Sequence, residues 1–294
     1  MECVPNVSEG RDDSVVERIA EAGTDAGCRI LDIHSDPDHD RSVVTMVGDR
    51  TEILNGAVAL AERATALIDL REGWGVHPCI GAVDVIPFVP LTGVAMSDCV
   101  NVARDAGRAI AERLALPVYH YGAARMSGRE ITLPRIRRRG FAELAATLRE
   151  IPPDYGPPQA HPTAGAGAVG AREPLVAYNV VLASSDVGVA RSIARVLRAS
   201  AGGLPGVKAL GLMLHSRNLV QVSMNLTDIT ATTVPRAFQA VLREASARGV
   251  AVLESEIVGL LPRAALAGAT ATDLRTTSDP RAKILEDVIE RSLR

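Results

Sequence analysis

The sequence has few aromatic residues, few cysteines and almost no net charge, and each scarcity excludes a class of protein. Aromatic side chains make up 3% of the 294 residues, and the formal net charge is -3. The chain as a whole therefore lacks the basic field of nucleic-acid-binding proteins. Its one basic run, RIRRR at residues 135–139, contains no aromatic residue. We interpret this run as a solvated helix face, with recognition of an anionic substrate tail as the alternative.

Zinc-binding spacing, a signal peptide and long apolar runs are also missing. No CxxC pattern connects the four cysteines, which are Cys3, Cys28, Cys79 and Cys99. The chain begins MECVP, without the basic and apolar regions of a signal peptide, and no apolar run has the length of a membrane-spanning helix. We therefore expect a cytoplasmic protein with free thiols that binds no membrane and no nucleic acid.

The residues that are present have the composition of a globular protein, with 47% hydrophobic and 23% charged side chains. At this length the chain forms one large domain or two modest ones. In the first half, β-branched and apolar runs predict strands at residues 29–33, 42–47 and 117–121. Two helices with apolar stripes are expected there, one beginning at Thr51 as its N-cap and one near Ser97.

The second half repeats this build. Strands are predicted at residues 175–182, 208–214, 219–226 and 256–260. Asp186 and Thr233 are expected to begin helices, and Pro235 suits the first turn of the second one. A terminal helix should begin at residues 278–280 and direct four apolar side chains towards the second sheet: Ile284, Leu285, Val288 and Leu293.

The order of these elements predicts an α/β (α+β) fold with two ferredoxin-like subdomains packed around a central cleft. Between the halves, five prolines are followed by three glycines, a composition incompatible with a helix or a central strand. We assign residues 1–150 to the N-terminal subdomain, 151–172 to an interdomain segment and 173–294 to the C-terminal subdomain. The segment is a plain linker or one wall of a ligand cleft, since domain junctions favour such clefts.

One histidine has the setting of a proton-transfer group. His77 lies in a glycine-punctuated loop, and Pro78 disfavours a helical backbone at the residue before it. Gly75 and Gly81 allow the chain to bend on either side. An imidazole with an ordinary pKa of about 6.5 suits proton transfer near neutral pH. The alternative is an ordinary histidine of a surface loop.

Several motifs together resemble those of the glutamate formimidoyltransferase family. They are VPNVSEGR at residues 4–11, the His77-Pro78 loop continuing into DVIPFVP at 84–90, GAR at 170–172, AYN at 177–179, ALG at 209–211, QVSMNLTD at 221–228 and IVGLLP at 257–262. The resemblance covers nearly the whole chain in order. It implies two α/β subdomains, a homodimer and a folate-binding cleft, in a stand-alone transferase without the cyclodeaminase domain.

The resemblance also implies an activity and a set of site residues. Family members transfer the formimino group of N-formimino-glutamate to tetrahydrofolate as co-substrate, without a metal. His77 falls at the position of the catalytic histidine. Residues 156–165 fall at the segment that contacts folate, with Gly156, Pro157, His161, Pro162, Thr163 and Gly165 as the candidate contacts.

Two residues near His77 have alternative roles. One imidazole can take a proton from the attacking folate amine and return it to the leaving amine. Asp84 is a candidate for holding that ring in one tautomer, or it caps the turn that precedes the following strand. Cys79 is a candidate nucleophile or a small residue that lines the pocket.

The loop departs from the family pattern, which usually reads RHKGEHPR, whereas residues 72–79 read EGWGVHPC. These positions lack the basic residues of the family pattern, and Trp74 is present among them. In addition, Asp40 stands where asparagine is usual, and Glu173 stands where lysine is usual. Carboxylate-rich substrates are usually held by arginine or lysine, and the candidates that remain are Arg41, Arg125, Arg129 and Arg172. Two alternatives to the transferase therefore stay open: an acid–base enzyme for a less anionic, non-folate molecule, and a non-catalytic binder of folate or another small molecule.

A cluster of acidic residues and histidines at residues 34–40 invites a metal-site hypothesis. The cluster contains His34, Asp36, Asp38, His39 and Asp40. Residues packed this closely, with Pro37 among them, are more typical of a polar turn between strands. We therefore predict a turn and no metal.

Overall fold

The computed structural model describes residues 1–72, 75–76, 78–128 and 131–293. The chain divides into two units, Met1–Glu173 and Pro174–Arg294. Each unit has its own sheet and its own apolar core. Within the described ranges, no helix is long and apolar enough to cross a membrane.

The first unit contains the predicted strands and two long helices. In chain order its elements are β1 (Glu2–Cys3), β2 (Asn6–Val7), α1 (Asp13–Asp25), β3 (Arg29–Asp36), β4 (Arg41–Val47), α2 (Arg50–Leu67), β5 (Val83–Val89), α3 (Met96–Leu114), β6 (Val118–Gly122), α4 (Leu133–Arg137), α5 (Leu144–Glu150) and β7 (Gly167–Ala171). The prediction that Thr51 caps α2 is wrong. Asp49 is the N-cap, because its carboxylate accepts hydrogen bonds from the Thr51 and Glu52 amides. In turn, the Asp49 amide donates to the Glu52 carboxylate, which completes a capping box.

The sheet of the first unit is a ferredoxin-like core with a parallel extension. Its strand order is β3-β4-β1/β2-β5-β7-β6, and the pairings from β3 to β5 are antiparallel. The elements from β1 to β5 follow the split βαβ pattern. Strand β7 then lies between β5 and β6 and runs parallel to both.

The prediction for the segment 151–172 is wrong at its end, where strand β7 lies. That segment was expected to contain no central strand, yet its last residues form one. The prolines all precede residue 167, so every β7 amide remains able to pair. The small side chains of GAVGA suit a strand covered on both faces: a Cβ at Gly170 would lie 2.6 Å from the Tyr121 ring.

The second unit is a four-stranded antiparallel sheet in the order β11-β8-β10-β9. Its elements are β8 (Val176–Leu182), α6 (Val187–Leu197), β9 (Val207–Leu214), β10 (Leu219–Leu226), α7 (Val234–Ser246), β11 (Val252–Val258), α8 (Arg263–Leu266), α9 (Ala271–Leu274) and α10 (Leu285–Ser292), with 3-10 turns at Ala199–Ala201 and Pro280–Lys283. The chain order β8-α6-β9-β10-α7-β11 with this pairing is ferredoxin-like, as the sequence predicts.

Two of the three helix starts predicted in the second unit are confirmed. Asp186 and Thr233 are the N-caps of α6 and α7. The terminal helix begins at Leu285 and not at residues 278–280, because a 3-10 turn capped by Asp279 and an extended Ile284 precede it. Ile284 and Leu285 are buried, but Leu293 is 71% exposed, so the prediction that it packs inward is wrong. Helix α10 ends at Ser292, which leaves Leu293 beyond the last turn.

The two faces of the first sheet are covered differently. Residues of α1, α2 and α3 pack on one face with the large core that includes Val44, Ile86 and Phe88. A smaller cluster around Tyr119 and Ile136 holds α4 and α5 on the other side. Helix α4 therefore brings its arginine-rich end to the sheet face opposite the long helices.

His120 on β6 gives the first unit a pH-dependent stability. Its Nδ1 lies 3.1 Å from the Val169 carbonyl oxygen, and its Nε2 is buried without a partner among the described residues. Burial lowers the pKa of His120. Below the ordinary pKa of about 6.5 the unfolded chain therefore binds more protons, and stability falls as the pH decreases towards the lowered folded value.

We expect the free energy of unfolding, measured by urea titration, to be lower at pH 5.5 than at pH 7.5, and this difference to shrink in His120→Asn. The matched control is His215→Asn, at an exposed turn position, which should keep the full difference. If His120→Asn keeps it too, the buried ring is not its source.

Candidate functional site

The loop that contains His77 is hydrogen-bonded at both ends to the segment that the resemblance assigns to folate. At the start of the loop, the Leu70 amide donates to the Thr163 carbonyl at 2.9 Å. At its end, the Ala166 amide donates to the Ile80 carbonyl at 2.9 Å, and the Ala82 amide donates to Ala164 at 3.0 Å. Both segments belong to the first unit, so the structure brings together two stretches that the sequence analysis treated separately.

The middle of the loop contacts the β3–β4 turn. The Val76 amide donates to the Asp38 carbonyl at 3.2 Å, and a Cβ at Gly75 would lie 2.2 Å from the His39 carbonyl oxygen. Predictions for Trp74 and His77 concern residues outside the described ranges, as does the prediction for Arg129. Their described neighbours fix the loop on both sides of His77.

Two positions within residues 156–165 require glycine because of their backbone conformation and the close approach of other backbone atoms. Gly156 and Gly165 have φ values of 84° and 70°. A Cβ would lie 2.3 Å from the Leu116 carbonyl oxygen at Gly156 and 2.1 Å from the Ile80 carbonyl oxygen at Gly165. Close packing of backbone on backbone therefore explains both glycines, while the prediction that they admit a folate ring stays a prediction.

His161 closes the turn between these glycines. Its Nδ1 accepts from the Ala164 amide at 3.0 Å, and its main chain pairs with Gly165 in both directions. Because Nδ1 accepts, the proton of the neutral ring lies on Nε2. Thr163 is half-buried within this turn, Pro157 is half-buried before it, and Pro162 is exposed.

Asp84 is the centre of a buried group of charged side chains on the sheet face that α4 covers. Its side chain is fully buried. Oδ1 accepts from the Ile80 amide at 3.0 Å and from Arg137 Nε at 3.2 Å. Oδ2 accepts from Arg41 Nη1 at 2.7 Å and from Arg137 Nη2. These bonds occupy the acceptor positions of a carboxylate. The bond from the Ile80 amide fits the alternative in which Asp84 caps the turn before β5, whereas the orientation of the His77 ring concerns a residue outside the described ranges and stays a prediction.

Arg41 is fixed from a second side by Asn6. The Asn6 side-chain oxygen accepts from Arg41 Nε at 3.0 Å and from Nη2 at 2.7 Å, while the Asn6 amide group donates to the Val4 carbonyl. In the same motif, the Ser8 hydroxyl donates to the Gly81 carbonyl at 2.8 Å. The residues of the VPNVSEGR motif therefore hold the end of the His77 loop and one arginine of the site.

Among the described residues, the triad of Asp84, Arg41 and Arg137 carries more positive than negative charge. The side chains of Arg41 and Arg137 are only 12% and 14% exposed, and they share the single charge of Asp84. Burial lowers the pKa of Arg41 to about 10, and burial followed by repulsion from Arg41 lowers that of Arg137. Both remain cations at neutral pH because arginine keeps its proton in proteins, so this triad has a net charge of about +1.

Four further predicted residues have described surroundings in the first unit. Cys79 is partly buried and lies close enough to Arg41 and Arg137 to raise the pKa of both. Arg172 interacts with the hydroxyl of Tyr121, whose pKa burial raises to about 12. Asp40 lies nearby in the β3–β4 turn, where it accepts from the Gly10 amide at 3.3 Å. Arg125 is half-buried after β6.

Arg137 is the site residue that the sequence analysis missed. The run at residues 135–139 was interpreted as a solvated helix face, with recognition of an anionic substrate tail as the alternative, and none of its residues was named for the site. Arg137 is buried beside Asp84, whereas Arg135 is 50% exposed. The only local signal was Ile136, whose apolar side chain required one side of this run to face the core. Asn6, Ser8 and Tyr121 were also not predicted as site residues.

Residues 37–40 of the cluster at 34–40 form the predicted polar turn, whereas His34 and Asp36 lie in β3. Asp36 accepts from the amides of Asp38 and His39, both at 2.9 Å, and β4 begins at Arg41. In the described part of the chain, no group of three or more metal-ligating side chains is arranged around a common point. All four cysteines are free.

Comparison with known proteins places this architecture in a family. Residues 1–172 match the formiminotransferase domain, N-terminal subdomain, and residues 177–285 match the formiminotransferase domain. The chain belongs to the formiminotransferase family. It is 41% identical to the glutamate formimidoyltransferase of Thermoplasma acidophilum over 99% of this chain and 98% of that one.

Other relatives agree with this membership. The glutamate formimidoyltransferase of Streptococcus pyogenes serotype M1 is 39% identical over 90% of each chain. The formimidoyltransferase-cyclodeaminase of Sus scrofa is 41% identical over 92% of this chain but only 52% of its own length. This formiminotransferase therefore spans about half of the cyclodeaminase-bearing relatives.

The contact between Gly165 and Ile80 gives a test of how this formiminotransferase holds its loop. Gly165 and Gly93 both have positive φ, but a Cβ at Gly93 meets nothing within 4 Å. Gly165→Ala should therefore lower the free energy of unfolding by at least about 2 kcal/mol more than Gly93→Ala, since both share the left-handed strain of about 1–2 kcal/mol. Urea unfolding of the two variants measures the difference. Equal stabilities would contradict the rigid packing of residues 164–166 on the loop.

Proposed function

We propose that this protein transfers a formimino group from N-formimino-glutamate to tetrahydrofolate, with His77 as general acid and base. The observation that carries the proposal is the attachment of the His77 loop to residues 163–166 next to a cationic site. Both substrates carry carboxylates, and buried arginines bind such groups well. The family relationship also supports transfer of this group, since the relatives are named glutamate formimidoyltransferase.

The chemistry requires one group that moves a proton in each direction. A folate amine attacks the carbon of the formimino group, and a nitrogen–carbon bond forms. The attacking nitrogen loses a proton, the bond from that carbon to the glutamate nitrogen breaks, and the glutamate nitrogen gains a proton. A single imidazole can accept the first proton and donate the second in turn. Asp84 supports this step by fixing the Ile80 amide, three residues after His77.

The proposal includes where the substrates bind. Tetrahydrofolate binds with residues 156–165 as one wall of its site and with Trp74, Asp40, Arg41 and Arg172 among its contacts. Cys79 lines the pocket. A subdomain boundary near residue 172, a homodimer and a cytoplasmic location complete the proposal, and no metal takes part.

We expect the purified protein to release glutamate from N-formimino-glutamate only when tetrahydrofolate is present. His77→Ala should lower kcat by about 10²–10⁴-fold, the usual contribution of general acid–base catalysis. His215→Ala is the control, since His215 lies in an exposed turn of the second unit. Unchanged turnover in His77→Ala would remove His77 from the mechanism.

A second function is favoured by the composition of the loop. The described loop residues at positions 72, 75, 76, 78 and 79 include no cation, which suits an acid–base enzyme for a less anionic molecule. Calorimetry with 5-formyltetrahydrofolate separates the two functions. We expect a micromolar dissociation constant; no binding at millimolar ligand would favour the second function, and binding without turnover would indicate a non-catalytic binder.

A further inference from the structure

Arg137 has hydrogen-bonding capacity that the folded chain does not use. Its Nε and one hydrogen of Nη2 point to the two oxygens of Asp84. Its Nη1 makes no hydrogen bond with any described residue, and the side chain keeps 14% of its surface exposed. The end of the guanidinium that carries Nη1 and the second Nη2 hydrogen therefore remains available.

Asp84 cannot neutralise Arg137 on its own. Its charge is shared with Arg41, whose Nη1 lies 2.7 Å from Oδ2. Asp84 is also the only carboxylate among the described residues that Arg137 contacts. A buried cation that is only partly compensated is costly, and an anionic ligand on its open edge would restore the balance.

The open edge of Arg137 lies near the loop that contains the proposed catalytic histidine. The Cys79 thiol, two residues along the chain from His77, lies near the guanidiniums of both Arg137 and Arg41. Asp84 itself bonds the Ile80 amide at the end of the same loop. A ligand group held at Arg137 is thus held beside the loop that carries His77.

We propose that Arg137 binds a carboxylate of the amino-acid donor through its free guanidinium edge, and that Asp84 and Arg41 are positioning residues for that edge. The planar fork of two N–H groups matches a carboxylate, which accepts two parallel hydrogen bonds. Asp84 holds the other edge of the same guanidinium and so fixes the plane of the fork. This inference rests on the proposed function for the identity of the donor.

The test compares Arg137→Gln with Arg138→Gln. Arg138 is the next residue, is exposed, and loses the same charge. We expect Arg137→Gln to raise KM for N-formimino-glutamate by about 10–100-fold with kcat changed by less than about threefold, because one charge-assisted contact is removed. Arg138→Gln should leave both constants unchanged. The affinity for 5-formyltetrahydrofolate should stay within about twofold in both variants, which also shows that they are folded.

Arg137→Lys keeps the charge and one bond to Asp84 but loses the fork, so it should retain the fold and still show a raised KM. Glutamine and isoglutamine, each of which replaces one carboxylate of glutamate by an amide, identify the group that is bound. Both are tested as competitive inhibitors. The compound that lacks the carboxylate bound by Arg137 should bind the wild type and Arg137→Gln equally. The other compound, like glutamate, should bind Arg137→Gln more weakly than the wild type.

Three outcomes would overturn the inference: an unchanged KM in Arg137→Gln, equal losses in Arg138→Gln, or a loss confined to folate. If the wild type transfers no formimino group yet binds glutamate in a manner that depends on Arg137, the proposed function fails while the carboxylate site stands.

Discussion

The buried carboxylate of Asp84 is the interaction on which the candidate site depends. It joins four parts of the first unit: its own strand β5, the β4 residue Arg41, the α4 residue Arg137 and the loop amide of Ile80. A carboxylate removed from water must be fully hydrogen-bonded to be tolerated. Because these bonds come from separate elements, satisfying Asp84 also fixes where the loop ends and where α4 lies.

The same requirement makes the site asymmetric in charge. Two guanidiniums surround one carboxylate, and breaking such a buried pair commonly costs about 3–5 kcal/mol. The arginines are held by the protein before any ligand arrives, so binding an anion requires little further ordering of side chains. Arg172 and Tyr121 extend this polar surface from the ends of β7 and β6.

Much of the fold could be predicted from sequence because the signals are local. The apolar runs of β8 and β10 and the caps at Asp186 and Thr233 act within a few residues, and they led directly to the ferredoxin-like order of the second unit. Strand β7 was not predictable in this way. Its GAVGA sequence has little strand propensity, and it is a strand because β5 and β6 supply hydrogen bonds on both sides.

The site, like the fold, combines features that local sequence signals predicted with features that depend on contacts between distant residues. His77 and the 156–165 segment were recognised as separate motifs, but their pairing through Ile80 and Ala166 joins residues far apart in the chain. Arg137 was missed because a run of arginines resembles a solvated surface, and only the register set by buried Ile136 distinguishes one member.

The cations of this site come from several elements, and this bears on how the altered loop is interpreted. Arg41 lies on β4, Arg137 ends α4 and Arg172 follows β7, whereas the described residues of the His77 loop contribute none. Counting charges within the loop therefore underestimates the positive charge next to it. A further guanidinium at position 79 would lie beside two buried ones, where like charges repel. A thiol at this position is electrostatically compatible with the pair that Asp84 holds, so the loss of loop cations does not by itself remove the capacity to bind an anionic substrate.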